Sequence, residues 1–389
     1  MDQIQELLNR GVAEVIEKAD LEAKLKSKAK LRVKLGIDPT SPNIHIGRAV
    51  VLWKLRAFQE LGHKVIFIVG DFTGVIGDTS DKDAERPMLT SAQIKSNLKT
   101  YFQQAYKILD KRRTEVHYNS KWLKKLGFME IGQLADLFGL HEFETRENIA
   151  KRLKAGKRVS LRELLYPLMQ GYDSVAVKAD VEIGGTDQRF NLLAGRTIQP
   201  HYGQKPQNIL TTELMEGMDG RKMSSSWDNV INLTDEANDM FGKVMSIPDQ
   251  LIKKYFVLAT RAPLSEIAEV LKLSNPRDQK LRLALEITQL YHGKKKAQEA
   301  QLSFVNQFSK GELPDNITEH KLPQGGIRLS VLIKLLGFAS SNSDARRLIA
   351  QGGVKIDRVP IAEDLDVPVD RRRKLIQVGK RHFAYVRAK

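Results

Sequence analysis

The sequence predicts an α/β protein whose first part is built on a parallel β-sheet. Two apolar runs, 31–37 and 65–69, have the composition of buried strands, and a helix-like stretch at 49–61 lies between them. A third, short strand-like run at 181–183 follows a long helical region. Strands that alternate with helices are typical of βαβ units, which place their strands parallel in one sheet.

The composition is that of an ordinary globular protein of two to three domains. The chain has 389 residues, of which 41% are hydrophobic and 28% are charged, and chains of this length usually divide. It contains no cysteine, which excludes disulfides, thiolate metal sites and a cysteine nucleophile. No apolar run approaches the roughly 18 residues of a membrane span, and the first residues lack the features of a signal peptide. We therefore expect a cytoplasmic protein without a membrane association.

The other elements of the first part follow from apolar periodicity and proline positions. Residues 1–30 are expected to form an amphipathic helix, and 90–180 are mostly helical by pattern. A second helical region, 235–310, is interrupted by Pro248, Pro263 and Pro276. Because ligands of parallel sheets bind at the carboxyl ends of strands, the Gly-, Asp- and Thr-rich loops 36–47 and 70–78 are the expected place of a site.

The pattern divides the chain into three segments. Residues 1–230 form the sheet domain with a helical insertion, 231–320 form a helical domain, and a small α+β domain at 327–389 follows a Pro- and Gly-rich linker at 322–326. In the small domain we expect helices at 330–336 and 343–351 and strands at 354–356 and 375–378.

Basic charge is concentrated at the end of the chain. The net charge is +16, and the last 69 residues carry 15 Lys and Arg against 6 Asp and Glu. Such an asymmetry indicates a polyanionic partner, most often nucleic acid. A basic tail that serves only solubility is the alternative, and the apolar patterning of the segment argues against it.

Two short motifs, about 175 residues apart, point to phosphate binding. The first is His-Ile-Gly-Arg at 45–48, at the start of a helix-like stretch, where a glycine lets backbone approach a ligand and the helix N-terminus favours negative charge. The second is Lys-Met-Ser-Ser-Ser at 222–226, whose ammonium and hydroxyl groups are donors for phosphate oxygens. Either motif alone is equally consistent with a turn or a solvated loop.

Three polar residues within an apolar segment share one helical face. Tyr166, Gln170 and Asp173 recur at i, i+4 and i+7, a spacing that aligns side chains on one side of a helix. A solvent-facing stripe is the alternative interpretation. Pro167 lies inside the segment, so it either starts the helix there or kinks it.

The pair of motifs resembles the nucleotide-binding signatures of class I aminoacyl-tRNA synthetases. That resemblance implies a catalytic domain with a Rossmann-like, doubly wound parallel sheet, then a helical anticodon-side domain and a small α+β RNA-binding domain. It assigns Thr40, His45 and Lys222 to catalysis on the ATP phosphates and Gly47 to close approach of the nucleotide. Arg48 replaces the usual second histidine, so it either contacts phosphate or points to solvent. The other residues that the resemblance places at ATP are Asp38, Met223 and Ser225, the last where many relatives carry a second lysine.

Within that class, the triplet on the helical face and the segment 184–188 resemble tyrosyl-tRNA synthetases of bacterial type. The likeness extends over nearly the whole chain, including Gly77-Asp78 and 119–122. It implies that Asp173 accepts the hydrogen bond of the tyrosine phenol. The other residues it implies are Tyr166, Gln170 and Asp78 at the α-amino group, Gln188 near the carboxylate, Gly36 in the tyrosine pocket, and Gly185 and Asp187 at the ATP ribose.

One position departs from some relatives. They carry a tyrosine, which makes a second contact to the phenol, where this chain has Lys34. Lys34 follows a strand-like alternation, and its side chain is expected to point away from the pocket, which leaves the second partner of the phenol open.

The last domain resembles the small RNA-binding fold shared with ribosomal protein S4. The resemblance rests on segments 328–330, 343–347 and 352–357, and contacts to RNA backbone would set affinity and its salt dependence. The residues it implies as RNA contacts are Ser330, Arg346, Arg347 and Lys355. The run 371–374 adds further basic charge.

The family resemblance implies ATP-dependent ligation of tyrosine to tRNA(Tyr) by a homodimer. The tyrosine carboxylate would attack the α-phosphate of ATP, magnesium would travel with the ATP, and no permanently bound cofactor or protein metal site is expected. Three alternatives remain at this point: a tryptophan-specific synthetase, a non-catalytic RNA-binding protein with the synthetase fold, and a nucleotidyl-transferring enzyme that does not use tRNA. Asp173 argues against the first, the presence of both His45 and Lys222 against the second, and the basic tail against the third.

Overall fold

The computed structural model describes residues 2–27, 29–78, 89–309, 317–379 and 382–389. The chain forms two compact units, Met1–Ala297 and Gln298–Lys389. The helices that lie within residues 231–297 belong to the same compact unit as the sheet. The boundary expected between residues 230 and 231 therefore does not coincide with the boundary between the two units. The division into three domains remains a prediction. None of the described helices is both long enough and apolar enough to cross a membrane.

The first unit alternates strands and helices along most of its length. Its elements in chain order are α1 (Gln3–Asn9), β1 (Val12–Ile16), α2 (Lys18–Lys26), β2 (Arg32–Ile37), α3 (Ile46–Glu60), β3 (Lys64–Val69), α4 (Thr73–Ile76), α5 (Ser91–Ala105), β4 (Thr114–Tyr118), α6 (Ser120–Leu123), α7 (Phe128–Asp136), α8 (Leu140–Glu144), α9 (Glu147–Lys154), α10 (Leu161–Val177), β5 (Val181–Gly185), α11 (Arg189–His201), β6 (Asn208–Thr212), α12 (Ala237–Met245), α13 (Ile252–Ala259), α14 (Leu264–Val270), α15 (Pro276–His292) and α16 (Lys294–Ser309), which runs into the second unit.

Six strands of the first unit form one sheet in the order β1-β6-β5-β2-β3-β4. All neighbouring pairs are parallel except β1 with β6. From β2 the chain adds β3 and β4 on one side of the sheet, and it then returns to add β5 and β6 on the other side of β2. The strand order therefore reverses between β2 and β5. The predicted doubly wound parallel sheet is confirmed, and the reversal marks where ligands bind in such folds.

The predicted strands owe their positions to burial on both faces. Residues 65–69 of β3 are all buried, as expected for a central parallel strand covered by helices on each side. The helix α10 begins at a capping box formed by Ser160 and Glu163, which satisfies free N–H groups at its start. Pro167 lies inside this helix, which excludes the first of the two alternatives, that the helix starts at this residue.

The expectation of one helix over 1–30 is wrong. Gly11 at φ +61° ends the first helical segment, and Glu17 at φ +59° separates β1 from α2. Between them Val12–Ile16 pairs antiparallel with β6 as the edge strand of the sheet. The pairing partner lies about 195 residues away, so apolar periodicity alone does not reveal it. The strands β4 and β6, which pair in parallel with β3 and β5, were also not predicted from the sequence.

The helical character of the region after residue 235 is confirmed up to Ser309, and Lys310 lies outside the described residues. Two of the three prolines stand at helix starts, where a helix tolerates them. Pro263 precedes α14, and Pro276 is the first residue of α15, with the Asn275 side chain accepting from the Arg277 N–H. Proline lacks an N–H that would be unpaired at a helix start anyway.

The second unit is a small α+β fold. Its further elements are β7 (Thr318–Leu322), β8 (Gly325–Arg328), α17 (Leu329–Leu335), α18 (Asn342–Ala350), β9 (Val354–Ile356), β10 (Val359–Ile361), β11 (Asp366–Val369), β12 (Lys374–Val378) and β13 (His382–Ala388). Both expected helices and both expected strands are present. The segment 322–326, expected as a linker, instead lies within this unit: Leu322 ends β7, Gly325 and Gly326 begin β8, and only residues 323–324 connect the two strands.

Candidate active site

A cavity of about 270 Å³ opens at the carboxyl ends of the parallel strands. Loops that follow β2, β3, β5 and β6 form its walls, and α10 forms one side. The cavity therefore lies at the reversal of strand order, where the loops 36–47 and 70–78 were expected to meet. The tyrosine- and ATP-site residues expected from the sequence all line this one cavity: Gly36, Asp38, Thr40, His45, Gly47, Arg48, Asp78, Tyr166, Gln170, Asp173, Gly185, Asp187, Gln188, Lys222, Met223 and Ser225.

The triplet on α10 faces the cavity and not solvent. Asp173 is 3% exposed and Tyr166 is 8% exposed, which rules out the solvent-facing stripe. The Asp173 carboxylate accepts hydrogen bonds from Trp122 Nε1–H at 2.7 Å and from Asn119 Nδ2–H at 3.2 Å. Burial raises the pKa of Asp173 to about 7, against the opposing effects of Lys34 and of the two donors.

A chain of hydrogen bonds connects Asp173 with the nucleotide side of the cavity. Asn119 also donates to Thr73 Oγ1 at 2.9 Å, and Thr73 Oγ1–H donates to Asp38 Oδ1 at 2.7 Å. The Tyr166 hydroxyl donates to the other Asp38 oxygen at 2.9 Å. Sequence reasoning did not select Thr73, Asn119 or Trp122 as site residues. The sequence indicated these residues only in part. Residues 119–122 were noted as part of the family resemblance, and Thr73 was noted only as part of the loop 70–78.

Glycine at position 70 permits this arrangement. A Cβ atom there would overlap the Asp38 carboxylate and the Thr73 hydroxyl. Any larger residue would displace Asp38 from Tyr166.

His45 caps the N-terminus of α3 and is neutral. Its side chain accepts a hydrogen bond at Nδ1 from the Arg48 backbone N–H at 3.3 Å, so the ring proton resides on Nε2. Burial, with the positive charges of Arg48 and Lys222, lowers the pKa of His45 to about 3. The imidazole therefore serves as an uncharged hydrogen-bond donor throughout the physiological range.

Gly47 and Arg48 lie beside that imidazole. A Cβ atom at Gly47 would come within 3.1 Å of His45 Nδ1 and 3.3 Å of Met223 Sδ, which leaves little room for a side chain. Arg48 Nη2–H donates to Thr40 Oγ1 at 3.2 Å. Its Nη1 is buried and has no hydrogen-bond partner within the described part of the chain. The Arg48 guanidinium also interacts with the buried Tyr101, so this side chain does not point to solvent.

Lys222 extends from the second motif across the cavity. Its Nζ lies 2.8 Å from Asp187 Oδ2, and the side chain is about a quarter exposed. The neighbouring Arg221 instead pairs with Asp219 and stacks on Trp227, outside the cavity. The motif thus directs one cation, Lys222, toward the expected nucleotide position.

Gln188 and Asp78 meet at another wall of the cavity. Gln188 Nε2–H donates to Asp78 Oδ2 at 2.7 Å, and Gln188 Oε1 accepts from Asn191 Nδ2–H at 3.0 Å. Both ends of the amide are therefore held in place.

Lys34 does not line the cavity, which agrees with the expectation that its side chain points away from the pocket. Its Nζ lies beneath α10, 2.9 Å from Glu182 Oε1, and both side chains are fully buried. Among the described residues no group of three or more His, Cys, Asp or Glu side chains is arranged to hold a metal ion.

In the second unit, the four residues expected to contact RNA divide into two kinds. Arg346 and Arg347 are more than 60% exposed on α18, where they pair with Asp364 and Asp344. Lys355 lies on β9. Ser330 is buried, and its hydroxyl donates to Asp364 at 2.8 Å, so it holds a loop in place and does not present a donor to RNA. We therefore leave Ser330 out of the contact set.

Two family models match the chain. The model for tRNA synthetases class I (W and Y) matches residues 26–309, and the model for the S4 domain matches residues 327–363. The first match covers more than half of the chain. With its doubly wound sheet and paired motifs at the cavity, this is a class I aminoacyl-tRNA synthetase.

Relatives of high sequence identity indicate which amino acid this class I synthetase uses. The chain is 46% identical to a tyrosine--tRNA ligase of Shewanella oneidensis, covering 99% of this chain and 98% of that protein. It is 47% identical to a tyrosine--tRNA ligase of Thermotoga maritima, covering 97% and 95%. The chain belongs to the tyrosine--tRNA ligase family, and its function is the ATP-dependent ligation of tyrosine to tRNA.

A solved structure supports the fold. The tyrosyl-tRNA synthetase of Archaeoglobus fulgidus, complexed with L-tyrosine, aligns with a TM-score of 0.62 at 22% identity. The alignment covers 77% of this chain and 99% of that one. At this identity the likeness concerns the fold alone.

Proposed function

We propose that the cavity binds tyrosine along α10 and ATP between the two motifs, forms tyrosyl-adenylate, and then passes tyrosine to the 3′ end of tRNA(Tyr). The observation that carries this proposal is the position of Asp173. Its buried carboxylate already accepts two neutral donors, Trp122 and Asn119. An ionised carboxylate retains capacity for a third hydrogen bond, and a phenol O–H supplies it.

The other end of tyrosine would lie toward the strand ends. Tyr166, Gln170 and Asp78 line the wall where an α-ammonium needs acceptors, and Gln188 lies against Asp78. A phenylalanine side chain offers no O–H to Asp173, so its binding would bury the carboxylate with an unused acceptor. Leaving a buried polar group unpaired costs about 1–3 kcal/mol, and more when it is charged.

The reaction needs positioning and charge stabilisation, not a protein nucleophile. The tyrosine carboxylate attacks the α-phosphorus of ATP, the bond to the β-phosphate oxygen breaks, and pyrophosphate leaves. Charge develops on phosphate oxygens, where fixed donors are most effective. We assign that role to neutral His45, to Thr40, to Arg48 and to Lys222.

The ion pair between Lys222 and Asp187 bears on the catalytic cycle. If Asp187 and Gly185 hold the ATP ribose, as we propose, ATP enters beside this pair. Lys222 then exchanges the carboxylate for phosphate oxygens, which carry more negative charge. The backbone of Met223 and the hydroxyl of Ser225 lie in the same loop and would follow this movement.

The proposal also includes the magnesium ion that the reaction uses and the cellular location of the protein. Magnesium prefers few protein ligands together with substrate phosphates, so we propose that it enters with ATP. A cytoplasmic location remains our prediction from the composition.

The RNA-binding role of the second unit is tested by separating the two reaction steps. Replacing Arg346, Arg347 and Lys355 together by alanine should raise KM for tRNA and leave tyrosine-dependent ATP–pyrophosphate exchange unchanged. The slope of log affinity against log salt should fall by about one for each phosphate that the protein no longer binds. A matched control is Lys26→Ala, a 60% exposed lysine on α2. Unchanged tRNA charging and salt slope in the triple variant would remove this surface from the RNA interface.

A homodimer is the assembly we propose. Large apolar side chains are exposed on α7 and α10, which pack on one another: Phe128 is 92% exposed, Met129 76% and Leu161 78%. Exposed apolar patches mark interaction surfaces, and a self-complementary patch forms a twofold dimer. Phe128→Glu combined with Leu161→Glu should convert a dimer to monomer in sedimentation equilibrium. A wild-type protein that is monomeric at micromolar concentration would contradict the assignment.

A further inference from the structure

A buried ion pair lies directly beneath the tyrosine-binding face of α10. Lys34 on β2 and Glu182 on β5 are register partners in neighbouring parallel strands, and both side chains are 0% exposed. Their Nζ and Oε1 atoms are 2.9 Å apart. Desolvation of two charges often cancels their attraction, so such a pair is weak evidence of stabilisation. Its position therefore calls for another explanation.

Both members of the pair bind α10 at Gln170, which lines the cavity, and at Ser174, which is buried. Lys34 Nζ donates to the Gln170 backbone carbonyl at 2.8 Å and to Ser174 Oγ at 2.7 Å. Glu182 accepts from Gln170 Nε2–H at 3.1 Å and from Ser174 Oγ–H at 3.0 Å. Because the Gln170 amide nitrogen is bound to Glu182, its oxygen is the end left for the cavity. An amide oxygen, and not the nitrogen, accepts a hydrogen bond from an ammonium group.

The pair also sets the charge around Asp173. The positive charge of Lys34 favours the ionised carboxylate, and the negative charge of Glu182 disfavours it. The other groups against Asp173 are the neutral donors Asn119 and Trp122. Asp38 and Asp78 interact with the adjacent Tyr166. Among the described residues, Lys34 is the cation whose charge favours the ionised form of Asp173.

We propose that Lys34 and Glu182 are positioning residues for tyrosine recognition: Glu182 turns the Gln170 amide oxygen toward the α-amino group, and Lys34 pairs with Glu182 beneath α10 and supports the negative charge of Asp173. This inference rests on the proposed placement of tyrosine along α10. It explains how the chain recognises a phenol without a tyrosine at position 34. The lysine acts through Asp173 and Gln170 and does not touch the substrate.

The charges of Lys34 and Glu182 change the pKa of Asp173 in opposite directions, so variants of the two residues should have opposite effects. The variants are Lys34→Met, Glu182→Gln and the neutral double variant. KM for tyrosine is measured in ATP–pyrophosphate exchange between pH 6 and 9, with KM for ATP as the internal control. In the wild type, KM for tyrosine should fall as pH rises through about 7, because the ionised Asp173 accepts the phenol.

Lys34→Met should move that midpoint upward, by about one pH unit or more, and Glu182→Gln should move it downward. In the double variant the two effects partly cancel, and because the effect of Lys34 is the larger one, the midpoint should lie between the wild-type value and that of Lys34→Met. Its KM for tyrosine should also stay about tenfold above wild type, because Gln at 182 no longer fixes the orientation of the Gln170 amide. KM for ATP should change by less than about twofold in each variant.

The outcomes separate an electrostatic role from a structural one. Shifts of both single variants in the same direction, or no shift in either, would overturn the proposal, as would a double variant with wild-type KM for tyrosine. Lys34→Met leaves Glu182 buried without its cation, so this variant is the one most prone to misfold. If it does not fold, Glu182→Gln and the double variant still decide the question. A wild-type protein without tyrosine-dependent exchange would instead refute the proposed function.

Discussion

Replacing Asp173 by alanine is expected to lower kcat/KM for tyrosine activation by about two orders of magnitude or more. The change removes a charged acceptor from the phenol and leaves the Trp122 and Asn119 donors without their partner. Hydrogen bonds to charged groups are worth about 1.5–3 kcal/mol, and each stranded buried donor adds a further cost. The measurement is tyrosine-dependent ATP–pyrophosphate exchange at several tyrosine concentrations.

Asp180→Ala is the matched control for this variant. Asp180 is a nearby aspartate at the opposite end of β5 that accepts from the Arg32 backbone N–H and does not line the cavity. It should leave KM for tyrosine near the wild-type value. Near-normal exchange by the Asp173 variant would show that tyrosine does not lie along α10.

Lys222→Ala is expected to lower kcat of activation by about 10²–10³-fold while KM for tyrosine changes less than about threefold. The lysine approaches the expected phosphate position through a loop and lies 2.8 Å from Asp187, away from the α10 face. A donor that acts on charge developing in the transition state affects the rate more than ground-state binding. Single-turnover formation of the adenylate separates these two quantities.

The adjacent Arg221 offers the control. It is 60% exposed and held by Asp219 outside the cavity, so Arg221→Ala should retain most of the activity. Equal losses of kcat and of tyrosine affinity in the Lys222 variant would mean that the lysine organises the cavity instead of stabilising the leaving pyrophosphate.

The core of the fold was predictable because its signals are local. The runs that became β2 and β3 are apolar and bounded by turns, and the parallel sheet follows from their alternation with helices. The edge strand β1 was not predictable in this way. Its five residues are recognised as a strand only when β6 pairs with them from a distant part of the chain.

For the site as well, local sequence patterns predict some residues and not the contacts that tertiary packing creates. The residues gathered from the motifs share one cavity, because motifs place side chains at the ends of strands and helices that a doubly wound sheet brings together. Thr73 and Trp122 contact Asp38 and Asp173 through tertiary packing across 35 and 51 positions, and no local pattern encodes such contacts. The sequence identified Lys34 as a departure from some relatives. Its partner Glu182 could be identified only from the register of β2 and β5 in the structure.

The most direct test of tyrosine recognition by this cavity is amino-acid-dependent ATP–pyrophosphate exchange with tyrosine, phenylalanine and tryptophan compared under identical conditions. The arrangement around Asp173 predicts exchange with tyrosine and background exchange with the other two amino acids. Comparable exchange with phenylalanine or tryptophan would contradict the role of Asp173, and no exchange with any of the three would contradict the catalytic assignment of His45 and Lys222.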